Sequence, residues 1–429
     1  MVELAVVKKS GVRTASLRTP SVRAEGVRSA RATHAPRVVL PVPVQHEFPV
    51  FSSVAEAVRV LKPARPVHVV LPKVLRAAAQ MFLAQFPGTS YYAVKCNPHP
   101  FVLKTLFAAG VRFFDVASIA EITLVAEVCP GARMAFMHPV KSREAIREAY
   151  TTFGIRDFSL DCFEELHKIV EATSDHGVAA TDLVLHVRVA TPNAHAAQNL
   201  SAKFGCQPAE AVQLLQDANK VAHKVGLAFH VGSQSRDPAV FAHALALCGD
   251  LIKQSGVTLD VLDVGGGFPV AYQDDDVPAL TQFFDVIREG LAKLALPKSC
   301  EVWCEPGRAM VGGGETLITR IELRKGDALY LNDGLYGSLF DAGYFNQKFP
   351  VEAMRLRRGW RADKMRGETL AYKLFGPTCD SIDVMPGPYH LPADLREGDY
   401  VLFTNHGAYG RAMSGNFNGF HEADTVVVE

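Results

Sequence analysis

The stretch YYAVKCNPHPFVLKTLFAAGVRFFDVASIAEITLVAEV, residues 91–128, decides the fold. It holds two short runs rich in β-branched and aromatic residues, YYAVK (91–95) and RFFDVA (112–117), each followed by a longer stretch rich in Ala, Leu and Glu. The short runs read as buried strands and the long ones as helices. Outward from here the unit recurs as RMAFMH (133–138), DFSLD (157–161), LVLHVRV (183–189), LAFHVG (227–232), VLDVGGG (261–267) and VWCEPG (302–307). Eight apolar strands alternating with helices over roughly 250 residues predict an α/β fold, a (β/α)8 barrel of the TIM type, with a doubly wound sheet as the rival. The runs end in residues unlike their apolar starts: Lys95, Asp115, His138, Asp161, Arg188, His230, Gly265 and Glu305. Barrel strands carry their chemistry at their C-terminal ends, so this polarity favours the barrel and one shared face.

Past Arg308 the texture changes to short strand-like runs, ETLITRIEL (315–323), DALYLND (327–333) and DYVLFTN (399–405), separated by Gly, Pro and Asp turns. That is an all-β texture. The expected organisation is a basic, disordered extension over 1–36, an N-terminal strand segment over 37–60, a barrel over 61–308 and a C-terminal β-domain over 309–429. Within the second segment RVVLPVPV (37–44) is expected to pair with the C-terminal sheet.

The chain has 429 residues, 48% of them apolar and 21% charged, which excludes both a mini-protein and global disorder. Lys+Arg and Asp+Glu number 45 each, yet the first 40 residues hold eight basic groups against two acidic ones, so the rest is mildly acidic. An acidic body does not suggest a nucleic-acid partner. The Arg/Ser/Ala-rich extension has no apolar block for a signal peptide, and its alternative reading is a transit peptide. The eight cysteines form no CxxC, and no stretch of about 18 uncharged apolar residues exists. A cytoplasmic protein with no membrane partner and no metal is expected.

Lys95 ends an apolar run, where burial would lower the pKa of an ammonium and suit it to a Schiff base with an aldehyde; the alternative is a lysine snorkelling to water. The glycines of LDVGGGFP expose bare amides after the seventh strand, as a phosphate site or as a plain turn. In CEPGR the carboxylate of Glu305 precedes the guanidinium of Arg308, which could fork onto phosphate or pair with the acid. His230 could stack on a planar ring or pack structurally, and Ser233 adds a phosphate donor. Lysine, phosphate cradle, carboxylate and flat ring together are what pyridoxal 5'-phosphate needs.

YAVKCNP, FDVAS, HVGSQ, DVGGGFP, EPGR, NDGLYGSLFD, GPTCDSID, GAYG and FNGF, in that order, resemble the ornithine decarboxylase group of the alanine-racemase-like (fold type III) pyridoxal-phosphate-dependent decarboxylases, over about residues 45 to 429. The resemblance implies that Lys95 holds the cofactor as an internal imine, that His230 stacks on its ring with a catalytic part, and that Glu305 pairs with the pyridine nitrogen. It implies that Ser233, Gly266, Gly267, Pro306, Gly307, Arg308 and Tyr409 surround the phosphate, and that Asp115, Glu121 and Arg188 line or support the pocket. It implies that Cys379 is a catalytic cysteine and Asp380 a substrate carboxylate, both offered to the partner's site in a homodimer. Asp341, after Phe340, resembles a second carboxylate facing the substrate's distal amine.

The implied activity is decarboxylation of a basic L-amino acid, L-ornithine to putrescine in polyamine biosynthesis, with lysine or dual use as the alternative. An acid at Glu305 keeps the ring an electron sink; an arginine there would suit a racemase. A catalytically silent regulatory relative is the reading from another class, against which Lys95, Cys379 and Asp380 all stand. Asp333 reads as turn chemistry, Cys304 as packing, and His138, Asp161 and His186 as supporting or structural groups.

Overall fold

The computed structural model describes residues 47–191, 196–198, 203–357 and 361–429. The basic extension and RVVLPVPV lie outside them. Eight parallel strands close a barrel in chain order: Thr89–Ala93, Phe113–Val116, Arg133–Phe136, Asp157–Leu160, Val184–Val189, Lys224–Phe229, Val261–Asp263 and Glu301–Cys304. Every one falls on an expected run, because a strand buried on both faces shows as unbroken apolar sequence. Tyr91, Met137, Val184, Val261 and Trp303 fill the barrel, with Tyr91 stacked on Trp303 at 4.2 Å between ring centroids. Asp157 and His186, 3.2 Å apart, are buried in the same barrel as a structural pair, and Arg133 also donates to Asp157.

The helices pack outside, and local signals place their ends. Ser118 caps the helix Ile119–Val128 by accepting from Glu121 N–H at 3.3 Å, and Glu121 Oε2 in return accepts from Ala117 N–H at 2.7 Å. The helix Pro72–Gln85, which begins with Pro at its first position, comes before the first barrel strand. Its Phe82 meets Phe268 and Phe284 edge-on, 5.5 and 5.3 Å away.

The second element is a ten-stranded sheet, and here the expected boundary at residue 61 needs correction. Val67–Val70 pairs not with the barrel but with Glu315–Lys325, antiparallel, and with Asp424–Val428, parallel. Val50–Phe51 lies on the other side of Asp424–Val428. VHVV is as apolar as a barrel strand, so the sequence alone offers no reason to separate it. The sheet continues through Ala328–Leu331, Thr369–Phe375 and Val384–Pro392, while Tyr400–Phe403 pairs with both Glu315–Lys325 and Val351–Arg357. No helix among the described residues is long and apolar enough to cross a membrane.

Candidate active site

At the C-terminal end of the barrel Lys95, His230, Ser233, Gly267, Glu305, Gly307, Arg308 and Tyr409 line one cleft. Lys95 lies in the 3-10 turn Val94–Cys96 just past the first strand. Its Nζ donates to Asp115 Oδ2 at 2.9 Å, and Asp115 is 2% exposed. Burial disfavours the ammonium, but the carboxylates of Asp115 and Glu305 outweigh it and hold the Lys95 pKa above its ordinary value. The expectation that desolvation lowers it is thereby reversed, since the carboxylates are close and the Lys95 side chain keeps 43% of its surface exposed.

Glu305 follows the last strand and is buried. Burial, with the negative charges of Asp263 and Asp115, pushes its carboxyl well above the usual range. Asp263, whose burial raises it to about 6, anchors Gly265 N–H with Oδ1 at 2.8 Å and leaves Oδ2 buried without a partner. Burial and their mutual charge thus disfavour the ionised form of both acids at the barrel mouth.

The three glycines after the seventh strand are required by close approach. A Cβ on Gly266 would lie 2.7 Å from Glu305 O and 2.9 Å from His230 Nε2. One on Gly265 would lie 2.0 Å from Phe229 O, at a φ of +66° that side chains disfavour. Gly265→Ala is accordingly expected to destabilise the protein by about 2 kcal/mol or more, read as a melting temperature lower by a few degrees. An unchanged melting curve would show that the loop does not need this backbone.

His230 accepts from Gly232 N–H through Nδ1 at 3.0 Å, which fixes its ring; burial, with Arg188 and Lys95 nearby, holds it neutral. Arg188 lies 5.6 Å over the ring of Phe204. Pro306 O receives Ala93 N–H at 3.1 Å, tying the EPGR loop to the first strand. Arg308 donates to Tyr272 Oη at 2.7 Å and to Asp341 Oδ2 at 3.1 Å, and its guanidinium lies 4.8 Å over Tyr409. Its Nε is buried with no partner. A buried guanidinium with a free donor, glycines where a Cβ would intrude and a neutral flat ring fit a phosphorylated pyridine aldehyde.

Other expected residues stand elsewhere. Glu121, expected to line or support the pocket, accepts from the backbone N–H of Ala117 through Oε2. Asp341, expected to face a substrate amine, is paired with Arg308 because a buried guanidinium needs a counter-charge. Phe340 stacks on Tyr344. Neither Cys379 nor Asp380 lines the cleft. Cys379 is exposed, with Sγ and backbone N–H both donating to Asn418 Oδ1 at 3.2 and 3.1 Å. Asp380 accepts from Tyr336 Oη at 2.6 Å and borders a cavity of about 800 Å³.

His138 accepts from Val140 N–H and Asp161 from Gly205 N–H, and Asp333 takes the N–H groups of Gly334 and Ser338, which is turn chemistry. Sequence reasoning missed Tyr272, Asp263, Asn418 and Asp383. Asp383 accepts from Thr378 N–H and Oγ1 and from Leu335 N–H, so it shapes the loop that carries Cys379. Its place in the quoted motif GPTCDSID was the available signal.

Residues 72–312 match the pyridoxal binding domain of the pyridoxal-dependent decarboxylases, and residues 314–407 match their C-terminal sheet domain. The chain is 32% identical to a lysine/ornithine decarboxylase of Selenomonas ruminantium over 348 residues, 79% of this chain and 83% of that one. It is 34% identical to an ornithine decarboxylase of Schizosaccharomyces pombe over 354 residues, 79% and 77% of the two chains. Among solved structures, the lysine/ornithine decarboxylase of Vibrio vulnificus complexed with putrescine superposes with a TM-score of 0.74 at 32% identity, covering 87% of this chain and 97% of that one.

Proposed function

The chain belongs to the pyridoxal-dependent decarboxylase family, and from that premise we propose that it decarboxylates L-ornithine ahead of L-lysine, as a homodimer with two shared sites in the cytoplasm. The observation that carries this reading is the split of the site: Lys95, Glu305 and Arg308 converge in one cleft, while Cys379 faces outward. Exposed Ile382, Phe417 and Phe420 stand in the segments that hold Cys379, and apolar surface of that kind suits burial against a second copy. All eight cysteines are free, in keeping with a reducing compartment.

Bound pyridoxal phosphate supplies the electron sink that lets Cα lose its carboxylate. This chain's residues do the rest. Lys95, oriented by Asp115, would bond the cofactor's aldehyde, and Arg308 with the amides of Gly266 and Gly267 would hold its phosphate. Glu305 would stand at the ring nitrogen and set its charge. His230 would lie against one face of the ring and hold its position. Cys379 of the partner would supply the proton for Cα, and the partner's Asp380 would bind the distal ammonium.

One methylene separates ornithine from lysine, worth about 1 to 3 kcal/mol in a pocket. Release of labelled CO2 from ornithine, lysine and arginine, compared as kcat/KM, is expected to favour ornithine by about tenfold or more. A higher value for lysine would reverse the substrate assignment. No release from any, with cofactor bound, would favour the silent regulatory relative.

A further inference from the structure

The junction between barrel and sheet holds a carboxylate that the chemistry above does not use. Glu315 opens the strand Glu315–Lys325 and is 1% exposed. Its Oε1 accepts from Asn97 Nδ2 at 2.9 Å, while Oε2 lies 3.3 Å from His68 Nδ1 and 3.6 Å from Arg411 Nε. Burial alone would raise its pKa, but Arg411 and His68 bring it down to about 2, so it stays ionised.

Asn97 stands two residues past Lys95, and its Nδ2 also donates to Gly407 O at 2.8 Å, two residues before Tyr409. Its Oδ1 accepts from His99 N–H at 3.1 Å, and its backbone O accepts from Tyr92 Oη at 3.0 Å. Tyr409 N–H in turn donates to Cys96 O at 2.8 Å. One amide thus clamps the turn that carries Lys95 to the loop that carries Tyr409. An ionised carboxylate only accepts, and with Gly407 O it holds the Nδ2 end of the amide that His99 N–H holds at Oδ1; a neutral amide in its place would lose the charge-assisted part of that hold. The loop also needs restraint, since Tyr409 sits at φ +60°.

We propose that Glu315 is a positioning residue for the cofactor site, locking the Asn97 amide so that Lys95 and Tyr409 stay in register. It acts through Asn97 and touches neither cofactor nor substrate. The inference rests on the reading that Lys95 and Tyr409 contact the cofactor.

The test uses the full chain stripped of cofactor and titrated with pyridoxal phosphate, following the chromophore. Glu315→Gln is expected to raise Kd by about tenfold, the size of one buried charge-assisted hydrogen bond, and Asn97→Ala to do the same. The double variant should be no weaker than the worse single one, because both lesions break one clamp. Additive losses, or an unchanged Kd with only a lower melting temperature, would overturn the proposal. If Glu315→Gln does not fold, Asn97→Ser reads the clamp from its other end, and an unchanged Kd there overturns it equally. Lys95→Ala in parallel separates the premise: an unaltered chromophore in that variant would refute the site itself rather than the part assigned to Glu315.

Discussion

Lys95→Ala protein is expected to be colourless after incubation with pyridoxal phosphate, to yield no borohydride-fixed adduct, and to lose on the order of 10³-fold or more in kcat. The geometry makes the effect large because Lys95 is the one lysine lining the cleft among the described residues. Its Nζ is aimed by Asp115 from a turn that the sheet helps to hold. Peptide mapping after reduction should find the label on Lys95 in the parent protein. A label on another lysine would remove the foundation of the site.

The second large effect concerns mixtures. Lys95→Ala and Cys379→Ala proteins should each be inactive, yet regain activity when subunits exchange. In a mixed dimer one site collects both lesions and the other collects neither, so equal mixing should give roughly a quarter of parental activity, from half the dimers with one good site each. The exposure of Cys379 and its absence from the cleft that holds Lys95 motivate the experiment. No recovery, with exchange demonstrated independently, would place both residues in one chain's site.

The barrel was legible because strands buried on both faces leave continuous apolar runs, and the site because glycines, acids and a lysine sit where those runs stop. What escaped depends on partners far apart in sequence. Glu315 meets Asn97 across 218 positions, and Arg308 meets Tyr272 and Asp341 across 36 and 33. Nothing local in ETLITR or AYQDD announces such pairs. The direction of the Lys95 pKa was misread for the same reason, because strand-end burial is visible in YYAVK while the proximity of Asp115 is not. VHVV was placed with the barrel because hydropathy reports burial and not which sheet provides it.

The placement of Asp424–Val428 between Val50–Phe51 and Val67–Val70 bears on the order of synthesis. Val50–Phe51 and Val67–Val70 emerge from the ribosome before any barrel strand, and the strand that joins them emerges after all eight. The barrel can close while the chain is still being made, but the sheet edge beside it stays unpaired until Asp424–Val428 has been synthesised. Completion of the site is thereby tied to the arrival of Asp424–Val428, since Arg411, which neighbours Glu315, also donates to Thr425 in that strand at 3.0 Å.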